Sequence, residues 1–170
     1  MSNGEWSRKG LRLGLVAWGM AALANLTGCM GTVPQPLLPL DRRLEELGPS
    51  RNPSLAGPWL ALISNRRGRD QVVLLNVEEQ RPVPLPGLNR PDAQPLSVGV
   101  EAKGERLALV RQLEGRTELL LYRRRLMSSQ LIAMNPPGVP RRVMLRADGR
   151  ELAVEVSRDG QWQVDLIEIP

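Results

Sequence analysis

The sequence predicts an all-β protein made of three tandem repeats of antiparallel strands, and three observations support this. The first is an internal repeat. Gly57-Pro58-Trp59-Leu60-Ala61, Gly104-Glu105-Arg106-Leu107-Ala108 and Gly149-Arg150-Glu151-Leu152-Ala153 share one pattern, a Gly followed three residues later by Leu-Ala. The second is that a further Gly closes each unit, at Gly68, Gly115 and Gly160. Turns that need positive φ favour glycine, so each unit reads as a strand held between two turns. The third is the spacing of about 45 residues between units, which suits a repeat of several short strands.

The strands follow in order. After each closing Gly comes a second apolar run: Gln71–Leu75, then Thr117–Tyr122, then Trp162–Ile169. The first two are apolar nearly throughout, which predicts strands covered on both faces. The third alternates at Trp162, Val164 and Leu166, which predicts one buried face. Arg81–Pro86 and Gln130–Met134 fall where an outer strand belongs. The prolines of the former fit only an edge. Pro95–Val100 and Arg142–Arg146 read as inner strands. Leu88–Pro91 and Asn135–Pro140 read as connections between repeats.

Ala147-Asp148-Gly149-Arg150-Glu151-Leu152-Ala153 and Ser157-Arg158-Asp159-Gly160-Gln161-Trp162 resemble the turn-and-strand motif of the TolB-like, or WD40-like, β-propeller repeat. Ala102-Lys103-Gly104 and Leu55-Ala56-Gly57 are degenerate versions of it. The resemblance covers about residues 53–170 and implies a partial propeller. Propellers typically close with about 4–8 blades, so three repeats do not make a ring alone. Three solutions are open: the segment before the repeats supplies a missing strand, two chains complete a ring, or the blades form an open arc. An open arc exposes apolar faces and favours a partner or self-association.

The N-terminus reads as a targeting segment. Arg8, Lys9 and Arg12 precede the apolar run Leu13–Ala24, which is too short for the roughly 20 residues of a membrane-spanning helix. Leu26-Thr27-Gly28-Cys29 then resembles a lipobox, the processing site of bacterial lipoproteins. That resemblance implies cleavage before Cys29 and acylation of its thiol, hence export and a lipid anchor in a membrane. Met30 takes the place of the Asp that typically retains such proteins at the inner membrane, which favours the outer one. The expected organisation is a lipoprotein signal peptide over 1–28, a lipidated Pro-rich tether over 29–53 and a repeat domain over 54–170. Asp41–Leu47 in the tether reads as a short helix stopped at Gly48.

Composition narrows the chemistry. The 170 residues include no His and one Cys, which removes the commonest general base and any Cys-rich zinc site. The net charge of +5 lies partly in the targeting segment and argues weakly for anionic partners. Glu45-Glu46 and Glu78-Glu79 read as surface neighbours, and Asp70, Asp148 and Asp159 as turn residues. Ser128-Ser129 have no His partner, and no phosphate-binding glycine loop is present. No catalytic residue, metal site or cofactor is therefore expected. Arg66-Arg67-Arg69, Arg123-Arg124-Arg125 and Arg141-Arg142 read mainly as solvated loops, and Trp59 and Trp162 mainly as packing residues. Nucleic acid is not expected as a partner. The expected function is that of a non-enzymatic cell-envelope lipoprotein acting as a protein-interaction module, similar in kind to TolB-like proteins. The alternative is a non-catalytic propeller subunit or relic associated with a hydrolase or peptidase.

Overall fold

The computed structural model describes residues 34–169. Its elements are a helix, α1 (Leu38–Leu47), and eleven strands: β1 (Ser50–Ala56), β2 (Trp59–Arg66), β3 (Arg69–Asn76), β4 (Arg81–Val83), β5 (Ala93–Val100), β6 (Arg106–Leu113), β7 (Arg116–Arg123), β8 (Ser128–Leu131), β9 (Val139–Leu145), β10 (Glu151–Arg158) and β11 (Gln161–Glu168). They form three antiparallel meanders, ordered β1-β2-β3-β4, β5-β6-β7-β8 and β9-β10-β11. The all-β partial propeller expected from the repeats is present, one sheet per repeat.

The second sheet presents one face to the first sheet and the other to the third. Ala61, Ile63, Val72 and Leu74 of the first sheet meet Val98, Val100, Leu107, Leu109, Leu120 and Tyr122 of the second. On the far side of the second sheet, Ala108, Val110, Leu119 and Leu121 meet Val143, Leu145, Leu152, Val154 and Val156 of the third. Alternate residues of one strand thus serve two different cores, so β2, β3, β6 and β7 carry almost unbroken apolar runs.

The inner strands β1, β5 and β9 lie side by side at the seam between sheets. The Val100 N–H donates to Ser54 Oγ at 3.1 Å, and the Val143 N–H donates to Ser97 Oγ at 3.1 Å. Each inner strand carries a register irregularity against its neighbour, near Arg51–Ser54, Pro95–Ser97 and Pro140–Arg142. Pro53, Pro95 and Pro140 sit in these strands, which are sheet edges and can tolerate a missing amide donor. The close approach at the seam needs a small residue. At Gly99 an added Cβ would lie 2.7 Å from the Leu145 nitrogen.

The front face of the first sheet has no sheet before it, and α1 covers it. Leu44 and Leu47 pack with Leu60, Leu62, Val73, Leu75 and Val77. The Ser64 hydroxyl donates to the Leu47 carbonyl, and the Asn65 N–H donates to the Pro49 carbonyl at 2.9 Å. The sequence suggested a helix within a spacer. The helix is longer than that reading, and β1 follows it as the inner strand of the first sheet, so the packed unit begins at Leu37. The alternation of β1 was masked by Asn52 and Pro53, which belong to its irregular stretch.

Candidate interaction face

The outward face of the third sheet differs from every other apolar face. The pairings Ala153↔Leu166 and Glu155↔Val164 in this sheet match Ala61↔Leu74 and Ile63↔Val72 in the first, and Ala108↔Leu121 and Val110↔Leu119 in the second. Leu74, Val72, Leu121 and Leu119 are 0–2% exposed. Their counterparts Leu166 and Val164 are 80% and 69% exposed, and Trp162 in the same row is 60% exposed. The alternation of β11 was expected to bury this row. The structure places it in solvent, because no fourth sheet among the described residues packs on it. Trp162 is correspondingly not a packing residue within the chain, whereas Trp59 is half-buried at the edge of the first core.

Charge is distributed unevenly around this stripe. Met144, 66% exposed, pairs with Ala153, and Arg142 pairs with Glu155. Arg146 contacts Glu151 at 2.8 Å and Asp148 at 3.4 Å. The β9 side is therefore basic and the β10 side acidic, with the apolar row along β11. On the opposite face of β11, Arg158 holds Asp165 through a hydrogen-bonded ion pair, which lowers the Asp165 carboxyl below its ordinary pKa. Arg158 also donates to the carbonyls of Pro136 and Pro137, at 2.9 and 3.1 Å, and so fixes the connection into β9.

The third sheet also has a free outer edge. In the first two sheets, β4 pairs with β3 and β8 pairs with β7. Among the described residues nothing pairs with the outer edge of β11.

The other residues singled out from the sequence fall elsewhere. Leu26, Thr27, Gly28 and Cys29 lie outside the described residues. Gly57, Gly68, Gly104, Gly115, Gly149 and Gly160 sit at turns with φ between 55° and 79°. Gly104 lies under Trp59, whose ring an added Cβ would overlap. Asp70 accepts from Asn65 and Arg51, and these hydrogen bonds lower its pKa. Asp148 accepts from the Arg150 N–H at its own turn, and Asp159 occupies a turn with φ of 49°.

Arg66, Arg67 and Arg69 are exposed at a hairpin tip, and Arg141 and Arg142 are exposed on β9. Arg124 instead stacks 4.9 Å above the Trp59 ring and pairs with Glu105 at 2.7 Å, which lowers the Glu105 carboxyl. Among the described residues, no group of three or more acidic or Cys side chains could hold a metal ion.

No protein-family model matches the chain, and no curated protein matches it significantly. Solved structures do. TolB from Acinetobacter baumannii aligns with a TM-score of 0.58 at 13% identity, over 71% of this chain and 30% of TolB. The fold is that of TolB-like propeller blades. The β-propeller domain of the Trilobed protease from Pyrococcus furiosus gives a TM-score of 0.46 at 16% identity, over 71% of this chain and 42% of that domain. The Myceliophteria thermophila Cps50 (Swd1) propeller gives 0.44 at 16% identity, over 83% of this chain and 38% of that chain. The chain thus spans less than half the length of each of these three structures.

Proposed function

We propose that this chain is a non-enzymatic protein of the bacterial cell envelope, lipid-anchored through Cys29, that binds a protein partner through the bare outward face of its third sheet. One observation carries the reading: Val164 and Leu166 are exposed at positions that are fully covered in the other two repeats, and Trp162 extends the exposed row. Contiguous apolar surface of this kind, rimmed by charges, marks interaction sites on soluble domains. The lipobox-like Leu26-Thr27-Gly28-Cys29 supports the anchor, and acyl chains in combination hold a protein stably at a bilayer. Among the described residues no helix is long and apolar enough to cross a membrane.

The test places a photo-reactive side chain at Val164 of the anchored protein in cells. A discrete adduct is expected. It should vanish in a Leu166→Arg background and be absent when the probe sits at Arg67, on a remote hairpin tip. Equal labelling at both positions would refute the face. Cys29→Ser should release the chain from the membrane fraction, and unchanged attachment would refute the anchor.

A further inference from the structure

The free edge of β11 narrows the kind of partner. We infer that this edge accepts an extended segment of another polypeptide, which docks as a fourth strand carrying two apolar side chains two residues apart. The inference rests on the reading that the third sheet binds protein, and it specifies how.

Three features of this chain support it. First, the chain solves the same problem twice within itself. The outer strands β4 and β8 are only 3 and 4 residues long, yet each leads a pair of apolar side chains into the neighbouring core. These are Val83 and Leu85 in one sheet, and Ile132 and Met134 in the other. Val83 pairs with Leu74, and the Ile132 N–H donates to the Leu119 carbonyl at 2.9 Å. Leu74 and Leu119 correspond to Leu166 and Val164. A strand placed likewise on β11 would set its two apolar side chains beside the exposed row.

Second, β11 lacks the usual protections of an edge. It contains no Pro, and its eight consecutive pairs with β10 show no bulge. Within it, Asp165 is engaged by Arg158, and the other charge is Glu168 at its last position. Natural edge strands are ordinarily blunted by Pro, bulges or Lys, and an open one is a template for strand addition. The outer strand β4, by contrast, contains Pro82 and is followed by Pro84.

Third, the inner side of the same face disfavours a further sheet packed like the others. Ser54 and Gly99 occupy the positions of close approach between sheets. Their counterpart opposite Ala153 is Met144, and Glu155 stands where Ile63 and Val110 stand in the first two repeats. A methionine at that position would hold a neighbouring inner strand away, while the outer edge stays accessible.

The probe is a labelled peptide with the sequence Ser-Ser-Gln-Leu-Ile-Ala-Met, copied from residues 128–134, titrated against the full chain and followed by fluorescence anisotropy. Saturable binding is expected, weakened at least about tenfold by Leu166→Arg, an exposed position where the fold should tolerate the change. Backbone N-methylation separates strand addition from side-chain docking. Methyl groups on one alternating set of peptide amides should abolish binding, and on the other set should leave it intact. Equal effects of the two sets, or binding unaffected by Leu166→Arg, would overturn the inference, as would absence of saturable binding. If the peptide fails while the Val164 adduct persists in cells, strand addition falls and the interaction reading stands. If both fail, both fall.

Discussion

Gly99 shows how one residue sets the distance between two sheets. It sits in β5 with its backbone against β9, and an added Cβ would meet the Leu145 nitrogen at 2.7 Å and the Leu145 Cβ at 3.3 Å. The obstacle is mostly backbone, which cannot rotate away. Gly99→Ala should therefore cost about 1–3 kcal/mol of stability, as other overpacked cores do. Denaturant unfolding of the wild type and the variant measures the difference. Gly115 offers the control: nothing lies within 4 Å of its added Cβ, so the penalty of Gly115→Ala comes only from its φ of 76°. A loss at Gly99 no larger than the loss at Gly115 would mean that the seam can open. Met144, at the counterpart of Gly99 on the outward face, meets no such constraint, because it faces solvent.

The repeats themselves were legible because they rest on elements whose determinants are local. Turn glycines at positive φ and apolar runs between them locate β2, β3, β6, β7, β10 and β11 without tertiary information. The first inner strand, β1, was not legible. Ser50–Ala56 carries a Pro and an irregular stretch, and its strand pairing is decided by β2 rather than by its own sequence. The exposure of β11 was not legible either, since alternation shows which face is apolar but not whether anything covers it. The lipobox was legible as a motif only. The helix α1 is another element decided by its surroundings. It is ten residues long and has no side-chain N-cap, so alone it would be marginal in water. Its fixed position reflects the leucines it buries against the first sheet. Leu47→Ala should cost about 2 kcal/mol, the low end for a buried leucine. A Leu47→Asp variant should bind a hydrophobic dye more strongly, because unseating α1 uncovers Leu60, Leu62 and Leu75. Unchanged stability in Leu47→Ala would show that α1 does not hold that face closed.

At the scale of the whole molecule, the three sheets form a short stack in which each contacts only its neighbours, so the two ends decide how the stack behaves. One end is covered by α1 and the other is bare. Repeat arrays ordinarily need a polar cap at each end, and among the described residues only the first sheet has one. Completion of a ring by a second copy, one of the solutions the sequence left open, would need the front face of the first sheet, and α1 occupies it. The asymmetry between ends makes the last prediction quantitative. Leu121 and Leu166 hold the same place in consecutive repeats, at 1% and 80% exposure. Leu121→Ala removes packing from a closed core and should cost about 2–5 kcal/mol. Leu166→Ala removes surface already in water and should change the stability of the isolated chain by less than about 0.5 kcal/mol. Unfolding both variants in denaturant at several protein concentrations measures each loss. A cost at Leu166 that matches Leu121 and grows with concentration would mean that copies of the chain cover this face for one another. A cost near zero at every concentration leaves the face free for a different polypeptide, and the contribution of Leu166 should then appear only when that polypeptide is bound.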